Sequence, residues 1–252
     1  MVEKAERIRY HVQKSKGALL KQVKRFFKGW NRFEKAFLLA LLVLPAVFTL
    51  VFHGTLIGCL STTLYLFWCL YLAKGKHYAN IIGIVALLLY AYVSYTVHYY
   101  GEVIISLVIF LPLIVYGLIS WLRNKRYDED KGNVVVVAHT NKKEVLIAVL
   151  SQLVMGIGYY FLLKAFGTAF LPVSTLSIMA SAVATFMLAR RNQYSFIVYV
   201  INDTVLVVLW GYMVVSGNLE YLQILLMPAM LLISDTYAVM NWSKLKKSQI
   251  SH

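Results

Sequence analysis

Apolar residues in this chain do not alternate with polar ones, nor do they mark one face of a helix. They run unbroken for about 17 to 24 residues at a time, separated by short stretches of Gly, His, Asn, Lys and Arg. Eight such runs lie near 36–52, 55–73, 78–97, 102–122, 145–163, 171–189, 194–217 and 221–241. At about 1.5 Å per helical residue each is long enough to cross about 30 Å of hydrocarbon. The connections at His53 to Thr55 and Ser216 to Glu220 contain Gly and have room only for a reversal of direction. The pattern predicts an all-α polytopic membrane protein with eight transmembrane helices.

Charge tests that division independently. Of the 25 Lys and Arg residues, 24 fall in alternate connecting segments and tails: Lys4 to Lys35, Lys74 with Lys76, Arg123 to Lys143, Arg190 with Arg191, and Lys244 to Lys247. Only Lys164 falls on the other side. Inner loops carry the basic excess, so both termini are expected in the cytoplasm and the chain in the plasma membrane. Composition agrees: 60% hydrophobic and 14% charged residues exclude a soluble enzyme domain. The net charge of +14 does not mark a nucleic-acid partner, because the basic residues sit between apolar blocks instead of forming a stripe on a folded surface. The partner they imply is the lipid bilayer.

Residues 1–35 form a basic segment in which Leu19, Leu20, Val23, Phe26, Phe27, Trp30 and Phe33 recur at helical spacing. It reads as an interfacial amphipathic helix serving as a topology anchor, with binding of anionic lipid as the alternative. It is not expected to be a cleaved signal peptide, since the apolar run starts only near residue 36. The connection 123–144 carries Asp128-Glu129-Asp130 and Val134 to Val137 and reads as a solvated linker, with Asn141 and Glu144 as a capping box for the next helix. Cys59 and Cys69 share one span about 15 Å apart, too far for a disulfide. The six histidines lie at span ends, tails or loops, so no metal site and no cofactor is expected.

An internal repeat organises the spans. The fourth ends Tyr116-Gly117-Leu118-Ile119-Ser120-Trp121 and the eighth ends Tyr237-Ala238-Val239-Met240-Asn241-Trp242, each followed by a basic cluster. Both copies end on the same side, so the repeats are parallel. Two three-helix units can be parallel only with an extra crossing between them, and 145–165 supplies it. The expected order is a basic segment (1–35), an extra helix (36–52), a first three-helix unit (55–122), a loop (123–144), a linking helix (145–165), a second unit (171–242) and a tail (243–252). In such folds the substrate lies between the repeats.

An ionisable group inside a span costs about 2.5 to 3.5 kcal/mol and marks a functional candidate. Asp203 and Asp235 qualify. Asp203 is the stronger, about 18 Å along the helix from Arg191 and so near the midplane. Phe196, Tyr199, Asp203 and Trp210 fall on one helical face, a stack of aromatics around one acceptor that suits an aromatic ligand bearing hydroxyls. Asn202 points away from that face. Tyr90 and Ser106 are the first unit's candidates, while Ser174, Ser177, Ala180, Ser181 and Ala184 suit close helix packing.

Together with the order of spans, several segments resemble the PnuC family of vitamin and nucleoside transporters over roughly residues 54 to 245. These are Ala73-Lys74-Gly75-Lys76, Tyr90-Ala91-Tyr92, Tyr100-Gly101-Glu102, Leu111-Pro112, and Arg190-Arg191 followed by the aromatic helix to Trp210. The resemblance implies a fold like a doubled SWEET sugar-transporter unit and facilitated diffusion of nicotinamide riboside or a related vitamin. It further implies trapping of the substrate by a cytoplasmic kinase. The family's binding helix carries two tryptophans and then Asn or Asp; the matching positions here are Phe196, Tyr199 and Asp203. A family Asn corresponds to Ala86 and a family Gln to Ile114, departures that bring deoxynucleosides, thiamine and riboflavin into consideration.

No G-x-x-x-x-G-K-[ST] phosphate loop is present, so the chain itself is not expected to hydrolyse ATP. A membrane-embedded enzyme would need a cluster such as H-E-x-x-H or G-x-S-x-G, and neither occurs. A membrane scaffold using the basic N-terminal segment is the remaining alternative. Homo-oligomerisation is left open.

Overall fold

A computed structural model describes residues 29–128, 132–139, 141–168, 170–217 and 219–250. It contains eight helices long and apolar enough to span a bilayer: α1 Arg32–Val51, α2 Leu56–Ala73, α3 Ala79–Thr96, α4 Tyr100–Arg123, α5 Lys142–Ala165, α6 Leu171–Ala189, α7 Ser195–Val215 and α8 Leu222–Ile250. Side chains such as Leu56, Val154 and Val215 stay exposed around the bundle, as a lipid-facing surface requires.

Helix starts follow local capping chemistry. Asn31 and Glu34 close a capping box on α1: the Glu34 N–H donates to Asn31 Oδ1 at 2.8 Å, and the Asn31 N–H to Glu34 Oε2 at 2.9 Å. The helix therefore begins before residue 36, and Trp30 is already buried beneath it. Most of the basic amphipathic segment, residues 1–28, lies outside the described residues. Asn141 caps α5 by accepting from the Lys143 N–H at 3.1 Å. The capping box expected there is not completed, because the Glu144 carboxylate turns to Arg190, at 2.6 and 2.9 Å. In α4 the residues Ser106–Phe110 form a π-helical turn just before Pro112, and the Leu111 N–H reaches back to the Ser106 carbonyl. Proline has no N–H for the regular ladder, and the widened turn absorbs that loss.

Two expectations for the loops need correction. The 123–144 connection is not a solvated linker. Strands β1 Lys125–Asp128 and β2 Gly132–Val135 pair antiparallel, and Val134 and Val135 are buried. The Val135 N–H donates to the Gly75 carbonyl at 2.8 Å and the Ala138 N–H to the Arg191 carbonyl at 3.0 Å. A run of β-branched residues suits an extended strand whose backbone pairs with neighbouring turns. Nor does α8 end at residue 241. It runs through the basic cluster to Ile250, since nothing from Ser243 to Gln249 is a helix breaker. There Gln249 donates to the Val135 carbonyl and accepts from the Val137 N–H, both at 2.9 Å.

The repeat shows itself in reciprocal bonds at the basic end of the bundle. Trp121 Nε1, at the end of α4, donates to the Leu188 carbonyl near the end of α6 at 3.0 Å. Trp242 Nε1, in α8, donates to the Leu72 carbonyl near the end of α2 at 2.9 Å. The two indoles meet with ring centroids 5.5 Å apart, both fully buried. The leading helices match as well. Glu34 of α1 pairs with Lys74 at the end of α2 and accepts from Tyr237 Oη at 2.8 Å. Glu144 of α5 pairs with Arg190 at the end of α6, which donates to Tyr116 Oη at 3.0 Å. Each half, α1–α4 and α5–α8, thus places a leading helix against a three-helix unit and reaches across to the other half.

Candidate functional site

Above the tryptophan pair, buried polar groups from both halves converge. Asp203 on α7 and Asp235 on α8 are both buried, and their carboxyls lie within hydrogen-bonding reach of each other. Asn202 Nδ2 donates to Asp203 Oδ1 at a long 3.5 Å. Asp203 Oδ2, and Ser234 Oγ one residue before Asp235, have no hydrogen-bond partner among the described residues. Tyr199, one turn before Asp203, is fixed by Thr185. The Thr185 hydroxyl donates to the Ser181 carbonyl at 2.7 Å, which leaves it to accept from Tyr199 Oη at 2.7 Å.

The first half supplies Tyr65 and Trp68 from α2, edge to face with centroids 5.2 Å apart. Tyr65 lies close enough to Tyr199, Tyr90 and Asp203 to interact with each electrostatically. Trp68 rests against α3 where Gly83 provides the room: a Cβ there would stand 2.4 Å from the indole Cε2. The indole Nε1 is buried with no partner among the described residues. Five buried side-chain atoms have no hydrogen-bond partner among the described residues, these three within the spans and Arg191 Nε and Gln193 Oε1 at the basic end, whereas buried polar groups are nearly always paired.

The residues expected to share the site divide along the bundle axis. Tyr199, Asp203 and Asn202 sit together, and Tyr90 joins them through Tyr65 at 6.5 Å. Phe196 packs on Trp242 at 5.2 Å and belongs to the aromatic cluster at the basic end. Trp210 lies at the opposite end between Phe170, 5.8 Å away, and Tyr221, 5.5 Å away. Ser106 is buried at the start of the π turn in α4. Ala86 and Ile114 are both buried. Sequence reasoning missed Tyr65, Trp68, Thr185, Ser234 and Glu102. A tryptophan well inside a span is a usable signal, since tryptophans favour the interfaces. Glu102, in the first turn of α4, is a further acid within a spanning helix, and its Oε2 accepts from Tyr90 Oη at 3.3 Å.

Two surface cavities lie elsewhere. One of about 430 Å³ at the basic end is lined by His139, Lys142, Glu144, Arg190 and Arg191 among others. There the contact with Glu144, then that with Tyr116, pushes the Arg190 guanidinium up from its ordinary value. Burial, then the neighbouring Arg190, pushes Arg191 down. The other, about 450 Å³, is an apolar recess between α5 and α6. No group of three or more metal-ligating side chains occurs among the described residues.

Comparison with known proteins gives these features a family. A curated nicotinamide riboside transporter PnuC from Neisseria mucosa is 25% identical over 225 residues, covering 89% of this chain and 86% of the relative. A second nicotinamide riboside transporter PnuC, from Haemophilus influenzae, is 23% identical over 231 residues, covering 91% and 97%. The crystal structure of the vitamin B3 transporter PnuC superposes with a TM-score of 0.72 at 24% identity, covering 90% of this chain and 97% of that one. The family described as nicotinamide mononucleotide transporter matches residues 55–244, nearly the stretch over which the motifs resemble PnuC. This multi-pass membrane protein belongs to that transporter family.

Proposed function

We propose that the protein carries nicotinamide riboside, or a closely related vitamin or nucleoside, across the plasma membrane by facilitated diffusion, with phosphorylation by a cytoplasmic kinase trapping the product. The observation that carries this reading is the set of unpartnered buried atoms within the spans of the two halves, Asp203 Oδ2 and Ser234 Oγ in the second and Trp68 Nε1 in the first. A ribosyl ligand brings hydroxyl donors for the first two and an acceptor for the third, and its ring stacks among Tyr65, Tyr90 and Tyr199. Asn202 orients the acid. Phe196, Trp210 and Ser106 bound the path above and below. We place the basic end in the cytoplasm, because 24 of the 25 Lys and Arg residues fall in one set of alternate connecting segments and tails of the sequence.

Ligand-induced thermal stabilisation of the purified protein tests the reading, since a ligand at 100 times its Kd adds about 2.7 kcal/mol. Nicotinamide riboside is expected to stabilise the wild type, and Asp203→Ala to remove both the shift and the uptake. Unchanged uptake by Asp203→Ala refutes the site. Sealed vesicles without a kinase and without a membrane potential are expected to equilibrate substrate, and accumulation driven by an imposed proton gradient refutes the passive mechanism. A second reading, transport of thiamine, riboflavin or deoxynucleosides, is favoured by Ala86 and Ile114, which offer no side-chain amide to a carboxamide ligand.

A further inference from the structure

We infer that the cavity of about 430 Å³ at the basic end is a binding site for a phosphate monoester, held by the side chains of Arg191 and Lys142. The site is separate from the one proposed for the transported ligand, since neither Trp68, Tyr199, Asp203 nor Ser234 lines it.

The two halves turn the chain in the same way at this level and then differ. Leu72, Ala73, Lys74 and Gly75 at the end of α2 correspond to Leu188, Ala189, Arg190 and Arg191 at the end of α6. Each leucine carbonyl accepts from a tryptophan indole, and each basic residue after the alanine pairs with a glutamate of the leading helix. The next residue lies in the left-handed region in both, with φ 65° at Gly75 and 62° at Arg191. Its carbonyl accepts a strand N–H in both, from Val135 at 2.8 Å and from Ala138 at 3.0 Å. Glycine takes that backbone without strain. The first half uses it and fills the space beside it, where a Cβ would stand 3.0 Å from Leu245 Cδ2 and 3.6 Å from Val135 Cγ1. The second half keeps an arginine at the strained position and has the open cavity beside it.

The lining chemistry specifies the occupant. Arg190, Arg191 and Lys142 line the cavity together with the acid Glu144. Arg190 engages the Glu144 carboxylate at 2.6 and 2.9 Å, so those two charges offset each other and Lys142 and Arg191 leave two positive charges. A carboxylate ligand balances one of them. A phosphate monoester, which carries nearly two negative charges at neutral pH, balances both. Arg191 Nη1 makes only a long 3.3 Å bond to the Val136 carbonyl, and its Nε is buried with no partner among the described residues. A guanidinium fork matches two phosphate oxygens. His139 adds a ring nitrogen, and the N-terminus of the 24-residue helix α5 adds the positive end of its dipole. The cavity is larger than a bare phosphate and leaves room for the group to which it is esterified.

Such a monoester reaches this end either as a soluble metabolite or as a lipid headgroup, and the test separates the two. Concentration-dependent thermal stabilisation of the full-length protein in detergent gives an apparent Kd for each probe. The probes are ribose 5-phosphate and dioctanoyl phosphatidic acid, with ribose and dioctanoyl glycerol as their phosphate-free controls. At least one monoester is expected to bind where its control does not. The tighter of the two identifies the source, and equal affinities make the phosphate alone the determinant. Arg191→Gly gives the second half the residue that the first half carries at this turn, so it is expected to fold and to weaken monoester binding at least about tenfold. Lys142→Gln is expected to weaken it in the same direction. Lys244→Gln removes an equal charge from an exposed position of the basic end outside the cavity and is expected to leave the affinity within about twofold. Binding of neither monoester, binding no tighter than that of the controls, undiminished binding by Arg191→Gly, or an equal loss in Lys244→Gln overturns the site. Each of these results leaves the transporter reading untouched.

Discussion

The two halves place the same short motif in the same position but bury it to different depths, and stability should register the difference. Glu34 and Lys74 form an ion pair whose side chains are only 5% and 6% exposed. Glu34 also accepts from Tyr237 and from the Asn31 N–H, and the Lys74 ammonium lies 4.3 Å from the Trp30 ring centroid. Glu34→Ala removes the carboxylate and leaves a buried ammonium without it, a change that costs about 3 to 5 kcal/mol. The equivalent pair, Glu144 with Arg190, is 34% and 42% exposed. Water and salt screen it, so Glu144→Ala should cost about 0.2 to 1 kcal/mol. Equilibrium unfolding in mixed micelles of increasing sodium dodecyl sulfate measures both. Glu34→Ala combined with Lys74→Met should recover part of the loss, because the second change removes the stranded charge. Equal destabilisation by the two alanine variants, or no recovery in the double variant, refutes the argument that burial sets the difference.

The tryptophan bonds are equivalent in geometry and burial, so Trp121→Phe and Trp242→Phe should each cost about 0.5 to 1.5 kcal/mol. Their values should agree within that spread in the same unfolding assay; a several-fold difference breaks the equivalence of the halves. Gly83→Ala drives a Cβ into the Trp68 indole and should cost about 1 to 3 kcal/mol by overpacking while weakening ligand binding. Gly117→Ala, whose nearest side-chain contact is 3.1 Å from the Asn80 amide, should be milder in both readouts.

The spans were legible because a bilayer admits only backbone that satisfies itself, and uninterrupted apolar runs betray such helices. The likeness of the ends of α4 and α8 was legible too, since Trp121 and Trp242 carry their basic exits with them. What escaped was everything decided by tertiary contact. Val134 to Val137 has no periodicity distinguishing a loop strand from a linker, and its partners, Gly75, Arg191 and Gln249, are remote in the chain. Glu144 carries a capping-box spacing, yet a guanidinium across the bundle outcompetes the local N–H for its carboxylate. The single-face argument on α7 is correct as helical geometry. It cannot say that Phe196 and Trp210, fourteen residues or about 21 Å apart, face different neighbours at different depths.

That separation bears on how a carrier of this design works, because α7 carries both the groups proposed to face the ligand and a part of the closure below them. At the basic end the halves are joined by Trp121 to Leu188, Trp242 to Leu72, Tyr237 to Glu34, Arg190 to Tyr116, and Asn241 Nδ2 to the Ala73 carbonyl at 2.8 Å. When that end opens, each bond exchanges for bonds to water at a net cost of about 0.5 to 1.5 kcal/mol, so the set amounts to about 3 to 8 kcal/mol. A ligand shifts such an equilibrium only by binding the two states with different affinity. The structure shows where that difference can arise. In the proposed reading Tyr199 and Asp203 face the ligand, while Phe196, one turn below and 6.4 Å from Tyr199, presses on Trp242 at 5.2 Å. Any displacement of α7 that optimises contacts at Asp203 is passed directly to the indole pair, with no loop between them to absorb it. On the proposed reading binding and closure are coupled through this helix, and the strength of the coupling is set by the packing of Phe196 against Trp242.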